Sequence, residues 1–258
     1  MEGNELTNLE TVEHKRRSIA IAGVHVDVFT EETLTEHIIS LTHTPGVDVG
    51  VGVNAHVCNL AWEDAELAGF LDRSFTYADG QSVLWGARLL GYALPERLAT
   101  TDLALPVLVA AAKRNIPVYF FGAADGVAET AARKLRTQVP GLKLRTHHGY
   151  VDEDEMPSVL ADIAAHGTEI LFVGLGDPRQ QRWIERNIEH LPPVVLTCGG
   201  LFDWLSGRNK RAPKWMIRIG LEWLWRLAIE PRRLARRYII GNPLFICALV
   251  RQRLAQRN

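Results

Sequence analysis

One carboxylate at the end of a strand-length run is the residue best placed for chemistry in this chain. Asp79 lies in FTYADGQSVLWGARLLG, after the run Phe75–Ala78 and before a helix expected to begin at Gly80 or Gln81. There it can accept a proton; the competing reading is an Asp-Gly turn or a helix cap. Asn54 closes the run GVGVN and either binds a sugar hydroxyl or caps the helix opening AHVCNLA. Arg97, in PERLATTDL, supplies a cation close behind, and Gln180, in GDPRQQRW, opens a helix after a third strand. An ordinary surface side chain is the alternative for each of these two.

Other candidates carry less. His147 and His148 are adjacent, tend to point apart, and lack metal-ligand spacing, so they read as structural. Asp152, Glu153 and Asp154 imitate a DxD metal-binding motif but sit in a charged stretch before Pro157, which reads as a solvated helix start. No metal and no cofactor is expected. A GxSxG nucleophile elbow is absent, which disfavours a covalent triad. Cys58, Cys198 and Cys247 are odd in number and far apart, as reduced thiols are.

The last fifth, EWLWRLAIEPRRLARRYIIGNPLF, interleaves tryptophan with arginine and carries almost no acid after Asp203. Over 214–227, Trp215, Ile219, Trp223 and Leu227 recur every fourth residue, a drifting stripe on one side of a helix. Arg226, Arg233 and Arg236 would share a face if the helix continued, although Pro231 is expected to kink or restart it. Such a segment suits a lipid surface or a phosphate; a packed helix with a solvated basic face is the plainer reading.

The elements that must position these residues follow an α/β rhythm. Strand-length runs at 49–53, 118–122, 170–174 and 194–198 alternate with helix-length segments at 55–71, 128–138 and 180–190. The rhythm predicts an α/β, Rossmann-like, mainly parallel sheet flanked by helices, with a basic amphipathic C-terminal helical appendage. Several strands run into glycine, at Gly122, at Gly174 and Gly176, and in TCGG, so these loops share the carboxyl rim where such sheets bind ligands. Helix-start amides there favour a phosphate. No loop is GxGxxG or a Walker A sequence, which removes the dinucleotide and ATP motifs.

With 258 residues, 47% of them hydrophobic, one large core is possible, and a net charge of −1 argues against nucleic acid as a partner. The polar, acidic N-terminus reads as a disordered leader over 1–18, followed by a catalytic domain over 19–203 and the appendage over 204–258. No apolar run approaches the ~20 residues that span a bilayer.

The ordered motifs VNAHVCNLA, YADGQSVLWGARLLG, ERLATTDL, FFGAADGVAETAARKL, VGLGDPRQQRWI and GLFDWLSGRNKRAPKWMIRIGLEWLWRLAIEPRRLARRY resemble the WecG/TagA/CpsF glycosyltransferases, glycosyltransferase family 26, over about 19–245. The resemblance implies a metal-independent, inverting enzyme. It would move a sugar from a UDP-sugar to a polyprenyl-diphosphate-linked sugar during bacterial exopolysaccharide or other cell-surface polysaccharide synthesis. Its place would be the cytoplasmic face of the inner membrane, as a peripheral protein and possible homo-oligomer. By motif, Asp79 is the general base and Asn54, Arg97 and Gln180 line the pocket. Arg226, Arg233 and Arg236 close over the nucleotide diphosphate, and Tyr150 and Asp203 contact uridine.

Three positions depart from the family pattern: Gly52 stands for a threonine, Thr100 for the glycine of ERxxGxDL, and Gln181 for the acid of PKQE. The first two lean the donor toward glucose over N-acetylmannosamine or its uronic acid. The competing readings are a noncatalytic peripheral scaffold and a nucleotide-dependent oxidoreductase. A chain ending near Asp203 is expected to stay folded but inactive.

Overall fold

The computed structural model describes residues 17–257, so the leader read over 1–18 lies outside the described residues except at its end. There Ser18 already begins a strand. β1 (Ser18–Ile21) and β2 (Val24–Asp27) form an antiparallel hairpin. Six further strands form one parallel sheet: β3 (Asp48–Val53), β4 (Phe75–Ala78), β5 (Val118–Gly122), β6 (Leu144–His147), β7 (Ile170–Gly174) and β8 (Val194–Thr197). Their spatial order is β4-β3-β8-β7-β5-β6. The expected fold class is thus the observed one.

The connecting helices are α1 (Glu31–Leu41), α2 (Ala55–Glu63), α3 (Ala65–Arg73), α4 (Gln81–Leu89), α5 (Thr100–Lys113), α6 (Val127–Gln138), α7 (Met156–Ala165), α8 (Arg179–Asn187) and α9 (Leu201–Leu205). Every residue of β4, β5, β7 and β8 is buried, because helices cover both faces. Side chains alternate between the two. Val51, Val53, Tyr119, Phe121, Leu171 and Val173 face α2, α3, α4, α7 and α8. Phe75, Tyr77, Phe120, Phe172 and Leu196 face α1, α5, α6 and α9. On that second face β3 presents Asp48 at its start and then Gly50 and Gly52. A Cβ at Gly50 would come within 2.6 Å of Phe75 and Leu196, so the GVGV pattern makes room for its neighbours.

The single helix expected over 55–71 is two. Asp64 breaks it, its side chain accepting from the amides of Glu66 and Leu67 at 3.1 Å each, which starts α3 with an N-cap.

The appendage consists of α10 (Lys214–Arg218), α11 (Glu222–Ile229), α12 (Pro231–Ala235), a π-helical turn (Arg236–Ile240) and α13 (Gly241–Ala255). The helix expected over 214–227 is interrupted at Gly220, which takes φ +76° and whose Cβ would strike Trp85 at 2.9 Å. Trp215 and Ile219 therefore do not continue into Trp223 and Leu227 as one stripe; both are exposed. Pro231 restarts the helix as expected.

α13 fastens the C-terminus to the body. Phe245 and Leu249 are buried in the first core, Asn59 donates to the Gly241 carbonyl at 2.7 Å, and the Gln252 amide brackets the hairpin through Ala20 and Ala22 at 2.8 Å each. A chain ending near Asp203 loses this cover from α2, α4 and the hairpin. The physical expectation for that truncate is accordingly an exposed apolar body face and lower stability.

Candidate active site

The carboxyl ends of β4, β3, β8 and β7 lie side by side. Asn54 leaves β3 and caps α2, its Oδ1 accepting from the amides of His56 at 3.0 Å and Val57 at 3.3 Å. Its Nδ2 turns to Asp79 Oδ2 at 3.5 Å. Asp79 leaves β4 with its own amide bonded to the Val53 carbonyl at 3.0 Å. It does not cap α4, whose N-cap Gly80 makes no side-chain bond. Its Oδ1 instead receives the Thr100 amide at 2.8 Å and the Thr100 hydroxyl at 3.2 Å, at the start of α5. Gly80 lets the two loops touch, since a Cβ there would lie 2.7 Å from that of Asn54.

The appendage brings an arginine to this pair, and it is Arg237. Its Nη2 donates to Asn54 Oδ1 at 3.2 Å. Burial lowers its pKa and nearby Arg226 acts in the same direction, while Tyr238, Asp177 and Asp79 oppose. Arg226 lies over the Trp204 ring at 5.8 Å, and its buried Nε has no hydrogen-bond partner. Neither guanidinium has a carboxylate within ion-pair distance among the described residues. Arg236 is exposed, and the side chain of Arg233 lies outside the described residues. Helical geometry favours Arg237 over its neighbour: at 3.6 residues per turn it falls within about 20° of the direction of Arg226, whereas Arg236 is turned about 80° away.

Arg97 sits elsewhere. It donates to Glu222 of α11 at 2.9 Å and reaches Asp102 at 3.5 Å, while Arg211 bonds Asp102 at 2.6 Å. These four charges fasten α11 to the start of α5. Gln180 is buried, donating to Asp177 Oδ1 at 2.7 Å and accepting the Gly199 amide at 3.1 Å, so it ties the β7 and β8 loops together. Gln181 donates to the same Asp177 oxygen at 2.7 Å. Tyr150 is exposed beyond β6, at the sheet edge opposite Asp79. Asp203 lies in α9 with Arg208 at 3.8 Å.

Gly122 and Gly174 approach each other's backbone. A Cβ at Gly122 would lie 2.4 Å from the Gly174 carbonyl oxygen, so both allow close packing of strand ends. Gly176 takes φ +78° with open space beside it. The rings of His147 and His148 do not point apart as expected but lie with centroids 4.5 Å from each other, tilted by 45°. Among the described residues no group of three or more His, Cys, Asp or Glu could hold a metal ion. Burial pushes the Cys58 thiol up to about 12 and raises that of Cys198 well above its ordinary value.

Sequence reading missed Arg237, Thr100 as a partner of Asp79, and His56. Burial, then the charge of Arg237, lowers the His56 pKa from 6.5 to about 4, against the pull of Asp177. Between these values the unfolded chain binds a proton that the folded chain refuses, so stability falls as pH drops through the window. His56→Gln is expected to flatten that loss, read as thermal melting on either side of the window; an unchanged slope would place the titration elsewhere.

The fold is α/β, and the carboxyl edge of its parallel sheet gathers Asp79, Asn54 and Arg237. The sequence profile of the Glycosyl transferase WecG/TagA/CpsF family matches residues 19–258, and the chain belongs to that family. It is 35% identical over 188 residues to an N-acetylglucosaminyldiphosphoundecaprenol N-acetyl-beta-D-mannosaminyltransferase of Bacillus subtilis (strain 168), covering 71% of this chain and 72% of the relative. A protein of the same description from Bacillus spizizenii is 34% identical over 184 residues, 70% of each chain.

Proposed function

We propose that the protein transfers a sugar from a UDP-sugar to a polyprenyl-diphosphate-linked sugar, with inversion and without a metal, as a step in cell-surface polysaccharide synthesis. The observation that carries this reading is the meeting of Asp79, Asn54 and Arg237 on one rim. An acceptor hydroxyl placed beside Asp79 gives its proton to Oδ2 as its oxygen bonds to the anomeric carbon. The bond from that carbon to the β-phosphate breaks, and UDP departs with the electron pair. Arg237 and Arg226 would receive the growing diphosphate charge, a planar guanidinium being suited to paired phosphate oxygens. Arg97, Arg233 and Arg236 remain candidates for completing that shell once the donor is bound. Gln180 and the glycine loops would shape the floor under the nucleotide, and Tyr150 and Asp203 would contact its base.

The names of the two relatives favour N-acetylmannosamine as the donor sugar and N-acetylglucosaminyl diphosphoundecaprenol as the acceptor. The lean toward glucose loses its basis, because Gly52 and Thr100 pack against each other under Asp79 and do not open a pocket. The test is transfer from a panel of UDP-sugars to a short-chain polyprenyl-diphosphate N-acetylglucosamine in EDTA, with the anomeric configuration of the product determined. Transfer that requires added divalent metal, or a product retaining the donor configuration, would falsify the mechanism.

No helix among the described residues is long and apolar enough to cross a membrane. We place the protein on the inner leaflet through its appendage, where exposed Trp215, Ile219, Ile239 and Ile240 alternate with exposed Arg218, Arg232 and Arg236. Replacing Trp215 and Ile219 together by serine is expected to weaken sedimentation with anionic vesicles about tenfold, with transfer to a water-soluble acceptor retained. Undiminished vesicle binding would move the contact to another face.

A further inference from the structure

The two oxygens of Asp79 are not equivalent. Oδ1 accepts two donors from one residue, the Thr100 amide at 2.8 Å and the Thr100 hydroxyl at 3.2 Å. Oδ2 has only the distant Asn54 amide at 3.5 Å. The Thr100 hydroxyl also lies 3.0 Å from the Tyr77 hydroxyl. A threonine hydroxyl has one proton, and Asp79 receives it, so Tyr77 must be the donor in the second bond. Tyr77 is fully buried, which drives its phenol pKa upward and keeps that proton in place. The chain of donors therefore runs in one direction, from Tyr77 to Thr100 to Asp79.

This relay occupies space that β3 gives up. A Cβ at Gly52 would lie 3.0 Å from the Thr100 hydroxyl oxygen, 3.0 Å from the Asp79 Cβ and 3.2 Å from the Tyr77 ring. Gly52 does not have a positive φ, so the position requires absence of a side chain and not backbone freedom.

We propose that Thr100, seated over Gly52, is the positioning residue that fixes Asp79 with Oδ2 as its proton-accepting oxygen; the proposal rests on Asp79 being the general base. With Oδ1 held by two donors, the carboxylate cannot rotate without losing both, and Oδ2 stays turned toward Asn54 and the appendage. Misplacing a reacting group by an ångström costs on the order of a hundredfold in rate.

Thr100→Val keeps the shape and the amide contact and removes the hydroxyl. It is expected to lower kcat by about ten- to a hundredfold, with KM for the UDP-sugar within about twofold. The acid limb of the pH–rate profile should move upward, because the ionised carboxylate has lost a donor. Thr100→Ser restores the hydroxyl and is expected to recover most of the rate. Gly52→Ala should cost more rate in the wild-type background than beside Thr100→Gly, where one of its three clashes is gone. Should Thr100→Val melt below the assay temperature, Tyr77→Phe reads the same relay, and an unmoved acid limb there overturns the proposal. A wild-type rate and pH profile in folded Thr100→Val also overturns it. If Asp79→Asn is inactive in that case, only the positioning role falls; if Asp79→Asn is fully active, the assignment of the base falls with it.

Discussion

Asp79→Asn is expected to lower sugar transfer by about a thousandfold with no loss of UDP affinity. The amide that replaces the carboxylate can still accept the Thr100 amide and hydroxyl through its oxygen, so the start of α5 keeps its partner. What disappears is the ability to take a proton. The acceptor hydroxyl must then attack while still protonated, and the barrier rises at that step alone. Initial rates with lipid-linked acceptor, beside calorimetric titration with UDP, separate the two effects. Transfer within tenfold of wild type would assign the base to another group, and His56 on the neighbouring helix is the first to examine.

The second large effect concerns Arg237. Its replacement by alanine is expected to raise the transfer barrier by about 2.7–4 kcal/mol, or two to three powers of ten in kcat, as for other preorganised groups that meet charge developing on a leaving group. Arg236→Ala, at an exposed position one residue earlier, is expected to change the rate far less. The pair of variants is informative because the two differ only in helical register. Folding should respond in the opposite sense: Arg237 sits near Arg226 with Asn54 as its hydrogen-bond partner, so its removal relieves a like charge and is expected to leave the melting temperature of the free enzyme unchanged or raised. Lysine is a poor substitute where planar geometry matters. A larger loss in Arg236→Ala than in Arg237→Ala would reverse the register assigned to the appendage.

Much of the body was legible because buried parallel strands leave a plain trace. The runs ending at Gly122 and Gly174 were read to the residue, since apolar side chains must cover both faces and a glycine must follow where two backbones touch. The N-terminal hairpin and β6 were missed, being four residues each with mixed burial. Asp79 and Asn54 were singled out from their place at strand ends, and the hydrogen bonds that join them to each other and Asp79 to α5 required coordinates. Thr100 was noticed only as a departure from a pattern. Sequence spacing cannot show that it fills the hollow over Gly52, because the two positions are joined by packing between β3 and α5. Arg237 was passed over because Arg236 was taken as the third arginine of the face, although at 3.6 residues per turn Arg237 lies closer to the direction of Arg226.

The appendage is held at both ends, by Phe202 stacked on Phe120 at 4.6 Å before it and by α13 against the hairpin after it. A segment tied twice behaves as a strap and not as a free tail. Arg226 and Arg237 ride on the middle of that strap, so their effective concentration at the rim stays high whether or not the strap is seated, and seating it forfeits little chain entropy. Departure of the product then needs only slack in the middle of the strap. Contact of its outer side with lipid, as proposed above, would set how much slack there is.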